Sequence, residues 1–229
     1  MAERKLHTPG TRFKAVKRIK GPAGRRPDGL IPVNWLNIHG YCEYLLFLEK
    51  AVGIETPPTV EMLAGTSRHA LLDAEHREKA EVALTVPEAV QKAQQETITM
   101  VSRDIPVRGS ALYGRIDEIT FEPNRIIVID DKPGAIPYFS SKLQVWGYCQ
   151  AFRETYNPEL PLFGALRQEG QGHIIWLEEY RQSRDSLVTA TVERINAVLA
   201  GKEPPEPVGN IRKCRACRMS KTCPVRTKG

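Results

Sequence analysis

Residues 114–132 constrain the fold of this chain more than any other stretch. Within this segment, GRIDEITFEPNRIIVIDDK, residues 126–129 form an unbroken apolar run bounded by turn residues. A short run of this kind is typical of a β-strand that is buried on both faces. The residues before it predict a partner strand that ends near a carboxylate. The segment therefore predicts a hairpin whose second strand, ending in D-x-K, lies inside the protein.

Periodic apolar positions predict further helices and strands on both sides of this hairpin. The helices are predicted at residues 34–53, 59–81, from 87, 140–156 and 184–201, and the strands at 97–107, 162–168 and 173–180. Cys42 is predicted to lie within the first of these helices. Together the elements predict an α/β fold, with a mixed β-sheet flanked by helices.

Charge is distributed unevenly along the 229 residues, which carry a formal net charge of +6. Basic residues crowd both ends, at residues 1–28 and 212–228, and such ends suit an anionic polymer such as nucleic acid. Residues 1–30 are rich in Gly and Pro and lack apolar periodicity. We therefore expect residues 1–30 to be a flexible basic arm and residues 31–229 to be a single domain.

No apolar run is long enough to span a bilayer, and the residues after Met1 lack the apolar stretch of a secretory signal. We therefore expect a cytoplasmic protein without a membrane partner. In that compartment thiols stay reduced, so a C-x2-C pair is more typical of a metal site than of a disulfide.

Two aspartates and a lysine in the hairpin predict a metal-dependent reaction centre. Side chains two residues apart in a strand point to the same face, so Asp130 and Lys132 share a face and Asp131 points away. The first strand can bring Asp117 alongside Asp130. Two close carboxylates repel each other unless a cation binds between them, and Mg²⁺ and Mn²⁺ prefer oxygen ligands. A D-x-K tripeptide also occurs as a surface ion pair, and the buried strand before it favours the metal site here.

Three cysteines near the end of the chain, Cys214, Cys217 and Cys223, form a C-x2-C-x5-C pattern. Tetrahedral sulfur coordination needs a fourth thiolate, which Cys42 or Cys149 could supply. Four thiolates can hold either Zn²⁺ or a 4Fe–4S cluster.

The order of four short motifs resembles the PD-(D/E)XK nuclease superfamily in its RecB-like branch. These motifs are G-x-x-x-H at residues 65–69, G-R-I-D at 114–117, D-x-K at 130–132 and Q-x-x-x-Y at 144–148. With one upstream cysteine and three near the end, the chain resembles the iron–sulfur subgroup. This subgroup includes the CRISPR-associated exonucleases and the AddB-like repair nucleases.

The resemblance implies a restriction-endonuclease-like fold and a role for each motif. It implies that His69 is a third metal ligand beside Asp117 and Asp130. It also implies that Gln144 and Tyr148, one helical turn apart, orient the active site and the DNA backbone. The implied catalytic residues are Asp117, Asp130, Lys132, Gln144 and Tyr148, and the implied ligands of Mn²⁺ or Mg²⁺ are His69, Asp117 and Asp130.

For the cysteines, the resemblance favours a 4Fe–4S cluster over zinc. Cys42 matches the upstream position of the subgroup, whereas Cys149 falls on the apolar stripe of its predicted helix, where a small thiol packs well. The implied cluster ligands are thus Cys42, Cys214, Cys217 and Cys223. They define a helical iron–sulfur lobe formed by residues 34–52 and 205–225, whose role we expect to be structural.

The function implied is metal-dependent DNA cleavage, most simply by a single-strand DNA exonuclease that acts in CRISPR adaptation or in DNA repair. Its partners would be DNA and either CRISPR integration proteins or a helicase. One alternative is a non-catalytic iron–sulfur subunit that binds DNA or acts as a scaffold. Another is a zinc-stabilised nucleic-acid-binding protein.

Overall fold

The structure is a computed structural model that describes residues 13–19, 29–79, 82–169 and 171–227. Within these ranges the chain forms one β-sheet and seven helices. The strands are β1 (Phe13–Ile19), β2 (Ile31–Pro32), β3 (Val82–Leu84), β4 (Thr99–Arg108), β5 (Leu112–Glu122), β6 (Arg125–Lys132), β7 (Leu162–Gln168) and β8 (Ile174–Glu179). The helices are α1 (Asn34–Tyr41), α2 (Glu43–Lys50), α3 (Val60–Lys79), α4 (Val86–Glu96), α5 (Phe139–Tyr156), α6 (Gln182–Leu199) and α7 (Ile211–Ala216).

The sheet is mixed, as the sequence predicts. Its order is β3-β1-β4-β5-β6-β7-β8, and β2 pairs with β5 away from this path. Strand β5 runs antiparallel to its two neighbours, β4 and β6, whereas β6 and β7 are parallel and are joined by α5. Because parallel strands need a crossover, α5 is carried back across one face of the sheet.

Strand β6 lies in the middle of the protein, which confirms the interpretation of its apolar run. Its residues Ile126, Ile127, Val128 and Ile129 are all nearly inaccessible to solvent. Ile126 and Val128 belong to the main core on the side of α5, and Ile127 and Ile129 pack on the opposite side. The strand is therefore buried on both faces, and its end is held rigidly.

Helices α1 and α5 cross closely beside the sheet. A Cβ atom on Gly40 would lie 2.8 Å from the Cα of Ser140, and one on Gly147 would lie 2.2 Å from Cδ1 of Leu36. The missing side chains at both glycines therefore allow the two backbones to approach.

Among the described residues, no helix combines the length and the apolar composition needed to cross a membrane.

Two expectations from the sequence are corrected. Within the predicted flexible arm of residues 1–30, the seven residues Phe13–Ile19 form β1, because their backbone pairs in parallel with both β3 and β4, whereas residues 1–12 and 20–28 lie outside the described residues. The helix predicted at residues 34–53 is interrupted at Cys42, whose backbone is extended at φ −165° and ψ 117°. The break separates α1, which packs on α5, from α2, which packs on α6.

The residues that follow α6 return to α1 and α2. The hydroxyl of Tyr41 donates to the carbonyl of Lys213 at 2.7 Å, and Arg218 forms an ion pair with Glu49. Met219 is buried against α2 in a small apolar cluster. The two segments predicted to form one lobe, far apart in sequence, thus pack against each other.

Candidate active site

The carboxylates of the candidate site lie on neighbouring antiparallel strands. Glu118 of β5 pairs with Ile129 of β6, and continuing this register by one residue places Asp117 opposite Asp130. An oxygen of Asp117 also accepts a hydrogen bond from the backbone N–H of Asp131 at 3.3 Å. The hairpin therefore brings together the two aspartates that the sequence predicts to be neighbours.

The alternation of side chains along β6 places a lysine on the same face as Asp130. The Nζ atom of Lys132 lies 2.6 Å from Oδ2 of Asp130. Asp131 lies on the other face, where its carboxylate forms an ion pair with Arg167 at 2.7 Å. This is the arrangement predicted from the two-residue period of the strand.

Charge in this pocket is not balanced, because two carboxylates face one ammonium group. Burial, and then the negative charge of Asp130, raise the pKa of Asp117 well above its usual value. Burial alone would lower the pKa of Lys132, but the charge and the hydrogen bond of Asp130 raise it overall, so the amine stays protonated. A bound cation would relieve the repulsion between the two carboxylates, as expected for a carboxylate pair of this kind.

The donor atoms of the pair fit a hard divalent cation. The Oδ2 atom of Asp130 is buried and accepts no well-directed hydrogen bond, although the ammonium of Lys132 is close to it. Such an oxygen retains lone pairs that Mg²⁺ or Mn²⁺ can use. Within the part of the chain that the structure describes, no three His, Cys, Asp or Glu side chains are arranged to hold one metal ion. A cation held by the aspartate pair would take its further ligands from a side chain outside the described residues, or from water or substrate.

His69 is the third metal ligand implied by the resemblance. Its backbone belongs to α3, but its side chain lies outside the described part of the structure. One helical turn further on, Asp73 accepts a hydrogen bond from Nε of Arg103 at 3.0 Å, which joins α3 to β4. The role of His69 as a ligand therefore stays a prediction.

Helix α5 supplies the other two candidate residues, Gln144 and Tyr148, which are both almost completely buried. The side-chain oxygen of Gln144 accepts a hydrogen bond from Lys132 Nζ at 3.2 Å. Burial, and then the charges of Asp117 and Asp130, raise the pKa of Tyr148, while a hydrogen bond with Gln144 opposes the rise. Tyr148 is therefore a neutral phenol beside the carboxylates, and both predicted residues adjoin the site.

The glycine of the G-R-I-D motif has a steric role. A Cβ atom on Gly114 would lie 3.0 Å from Cε1 of Tyr148 and 3.5 Å from the side chain of Val33. The first of these distances is shorter than an ordinary van der Waals contact. Glycine at this position therefore lets the ring of Tyr148 approach β5.

A second charged group, which the sequence analysis missed, lies behind the candidate site on the opposite face of the sheet. Arg103 of β4 and Arg167 of β7 each lie 2.6 Å from Glu118, and Arg167 also pairs with Asp131. Together they join four neighbouring strands and border a cavity of about 330 Å³ that α3 also lines. Strands β4 and β5 carry several other charged residues, so no local pattern in the sequence singles this group out.

Asn37, on α1, is also absent from the predicted set. Its side-chain amide donates to the oxygen of Gln144 at 3.0 Å, and Lys132 donates to the same oxygen. Asn37 precedes Gln144 by 107 residues and belongs to none of the motifs, so no local pattern signals this contact.

The four predicted cluster ligands border one small apolar pocket. Cys42 lies at the break between α1 and α2, Cys214 lies in α7, and Cys217 and Cys223 follow α7. Burial, and then the nearby Cys42 and Cys223, raise the pKa of Cys217. Thiols are the donors that soft metals prefer, but in the described part of the chain no three of these sulfurs are arranged to hold one metal ion.

Cys149 lies apart from this pocket. It is fully buried in α5, and its Sγ contacts the carbonyl oxygen of Phe163 at 3.8 Å. Burial raises the pKa of its thiol far above the usual value, as expected for a cysteine that packs as an apolar residue. The structure thus places Cys42, and not Cys149, beside the three later cysteines.

Three solved structures are similar to this chain. A protein from Eubacterium rectale that is provisionally named an exonuclease is 14% identical, with a TM-score of 0.47 over 86% of this chain and 94% of its own. SSO0001 is 14% identical, with a TM-score of 0.44 over 90% of this chain and 91% of its own. An alkaline exonuclease from Laribacter hongkongensis is 9% identical, with a TM-score of 0.35 over 76% of this chain and 89% of its own.

The comparison with protein families gives the assignment. No curated protein matches the chain. The family model of the PD-(D/E)XK nuclease superfamily matches residues 61–224, a range that contains Asp117, Asp130 and Lys132 and well over half of the sequence. The chain belongs to the PD-(D/E)XK nuclease superfamily.

Proposed function

We propose that this protein is a divalent-metal-dependent deoxyribonuclease that degrades single-stranded DNA from an end. The observation that carries the proposal is the group formed by Asp117, in the middle of β5, and by Asp130 and Lys132, at the end of β6. A cation would relieve the repulsion between the two carboxylates, and their burial keeps bulk water from screening the interactions. A scaffold or a purely DNA-binding protein has no need for this arrangement.

Hydrolysis requires that water form a bond to phosphorus while the bond to the leaving oxygen breaks and that oxygen takes up a proton. Asp117 and Asp130 would hold the Mg²⁺ or Mn²⁺, with His69 as the predicted third ligand. When bound, the cation polarises the phosphate and lowers the pKa of the attacking water. Lys132, protonated and held by Asp130 and Gln144, neutralises charge that develops on the phosphate. Tyr148, as a neutral phenol, donates a hydrogen bond to the DNA backbone.

The resemblance to RecB-like exonucleases supports the single-strand specificity and the requirement for a free end. The test compares linear single-stranded DNA with covalently closed single-stranded circles in the presence of Mn²⁺. We expect short products from the linear strands, persistence of the circles, and no cleavage after the metal is chelated. Equal rates on both substrates would exclude the exonuclease mode but would not contradict the metal-dependent cleavage.

The matched pair of variants is Asp130→Asn and Asp131→Asn. The two residues are adjacent in β6 but lie on opposite faces, so only the first removes a charge from the candidate metal site. Asp130→Asn should abolish cleavage, whereas Asp131→Asn should retain it at a temperature at which the variant is folded. An inactive Asp131→Asn together with an active Asp130→Asn would contradict the proposed site.

We further propose that Cys42, Cys214, Cys217 and Cys223 hold a 4Fe–4S cluster. The shared pocket supports a common ligand. The resemblance to the iron–sulfur subgroup favours a cluster, and zinc is the competing assignment. Protein purified without oxygen should absorb broadly in the visible range and contain iron and acid-labile sulfide. Cys217→Ser should lose both and Cys149→Ser should keep both, whereas stoichiometric zinc without iron would rule the cluster out.

For the cellular role, the same resemblance supports CRISPR adaptation or DNA repair. The partner would be a CRISPR integration protein in the first case and a helicase in the second. Affinity purification of the tagged protein under anaerobic conditions distinguishes the two, since each predicts a different class of co-purifying protein. If neither class is recovered from cells that contain both, this part of the proposal is wrong.

A further inference from the structure

Asn37 lies at the point where α1 crosses α5. The close approaches of Gly40 to Ser140 and of Leu36 to Gly147 lie on either side of it along the helix. Because both glycines lack a side chain, the helices come near enough for Asn37 to reach Gln144 directly. The separation between its Nδ2 and the Oε1 of Gln144 is 3.0 Å.

The chemistry of the donors determines how the amide of Gln144 is oriented. A lysine ammonium group can only donate hydrogen bonds, so the atom of Gln144 that lies 3.2 Å from Lys132 Nζ has to be the oxygen. The amide nitrogen of Asn37 donates to that same oxygen. Asn37 therefore stabilises the rotamer of Gln144 in which the oxygen faces the lysine.

The lysine needs this second acceptor because its first one has another role. In the structure Lys132 lies 2.6 Å from Oδ2 of Asp130, an oxygen that the proposed function assigns to the metal. Once Asp130 binds a cation, its carboxylate holds the ammonium group less strongly. The oxygen of Gln144 then becomes the acceptor that keeps Lys132 in place.

We propose that Asn37 is a positioning residue of the active site, which acts through Gln144 to hold the ammonium group of Lys132. The inference rests on the proposed nuclease function. It adds a residue that belongs to none of the four nuclease motifs. It also makes the placement of the lysine depend on α1, the helix that ends one residue before Cys42.

The test is a double-mutant cycle on the full-length protein with linear single-stranded DNA and Mn²⁺. Asn37→Leu has a similar volume and no donor, and Gln144→Leu removes the shared acceptor. A misplaced catalytic group can cost about 10²-fold in rate, so we expect Asn37→Leu to lower kcat by about 10- to 100-fold with KM unchanged. In the Gln144→Leu background, Asn37→Leu should have no further effect on kcat, because the oxygen through which Asn37 acts on Lys132 has already been removed.

Two controls separate positioning from folding. Asn34→Leu changes the same residue type at an exposed position of the same helix and should keep the wild-type kcat. Asn37→Asp keeps the shape and removes the donor, so it tests the proposal even if Asn37→Leu fails to fold. Affinity for DNA in metal-free buffer should be the same for the wild type and Asn37→Asp.

Three results would overturn the inference. The first is a wild-type kcat in Asn37→Asp, and the second is loss of kcat in the double variant equal to the product of the two single losses. The third is a wild-type protein that binds DNA but does not cleave it with Mn²⁺, which refutes the proposed function and the positioning role together. In the first two cases the wild type still cleaves DNA, so the positioning role of Asn37 is refuted and the proposed function is not.

Discussion

The close crossing of α1 and α5 predicts that adding one methyl group at Gly147 weakens the fold. In an ordinary helix interior, Gly→Ala gains about 1 kcal/mol because alanine restricts the unfolded chain. At Gly147 the new Cβ would lie 2.2 Å from Cδ1 of Leu36 and 3.3 Å from Val33. Leu36 is completely buried in the core, so moving its side chain disturbs the neighbouring core residues. Overpacking of this kind costs about 1–3 kcal/mol.

The two effects oppose each other, and we expect a net loss of about 1 kcal/mol in the free energy of unfolding for Gly147→Ala. Gly65 is the matched control, since it also lies inside a helix but no atom lies within 4 Å of its added Cβ. Gly65→Ala should therefore stabilise the protein by about 0.5–1 kcal/mol. Urea unfolding measures both, and an unchanged m-value shows that the difference lies in stability alone.

A second substitution tests the mechanism of this loss. In a Leu36→Ala background the clash disappears and the new methyl group fills part of the cavity, so Gly147→Ala should become stabilising. Gly147→Ala that stabilises the otherwise wild-type protein as much as Gly65→Ala does would refute the argument from the close approach. Destabilisation that persists in the Leu36→Ala background would also refute it.

Three further predictions concern charge. Asp131→Ala removes one of the carboxylates that pair with Arg167 and Arg103, while Glu118 still pairs with both, and should destabilise the protein by about 2 kcal/mol in urea unfolding, with cleavage retained where the variant is folded; an undiminished stability would mean that the group behind the site is solvated. Burial alone would raise the pKa of Asp185, but hydrogen bonds from Tyr180 and Gln150 and the charge of Arg153 lower it overall. The contribution of Asp185 to stability is therefore present above the usual aspartate pKa and is lost as the pH falls through the lowered value. Asp185→Asn should be less stable than wild type at pH 7, and this difference in the free energy of unfolding should shrink in acid. A difference that stays constant with pH would contradict the argument. Removing residues 1–12, upstream of β1, should make the affinity for single-stranded DNA less dependent on salt. The slope of log affinity against log salt concentration should become shallower by about 0.7 for each phosphate that these residues neutralise. An unchanged slope would show that they neutralise none.

Several features of the candidate site were predictable because they follow from local periodicity. The two-residue period of β6 decides that Asp130 and Lys132 share a face and that Asp131 points to the opposite face. The apolar run before Asp130 indicates that the strand end is buried. The antiparallel hairpin then needs only a turn to bring Asp117 beside Asp130.

The break at Cys42 and the strand β1 were not predictable in the same way. The sequence around Cys42 has a continuous helical pattern. In the structure, however, the chain before Cys42 packs on one helix and the chain after it on another, with α1 on α5 and α2 on α6. The residues of β1 show little apolar periodicity, and their strand is defined by backbone pairing with β3 and β4. Both features depend on neighbours distant in sequence, which a local pattern does not contain.

The sequence by itself determined which residues are the candidates for the chemistry, because residue type and strand period are properties of short segments. Only the tertiary structure decided what holds those residues in place. Asn37 reaches Gln144 across 107 residues because two glycines let α1 and α5 approach. Likewise, the four cysteines border one pocket because the segment after α6 packs on α1 and α2. Contacts of this kind depend on how well whole elements fit together, and that fit is settled only when the complete core is packed.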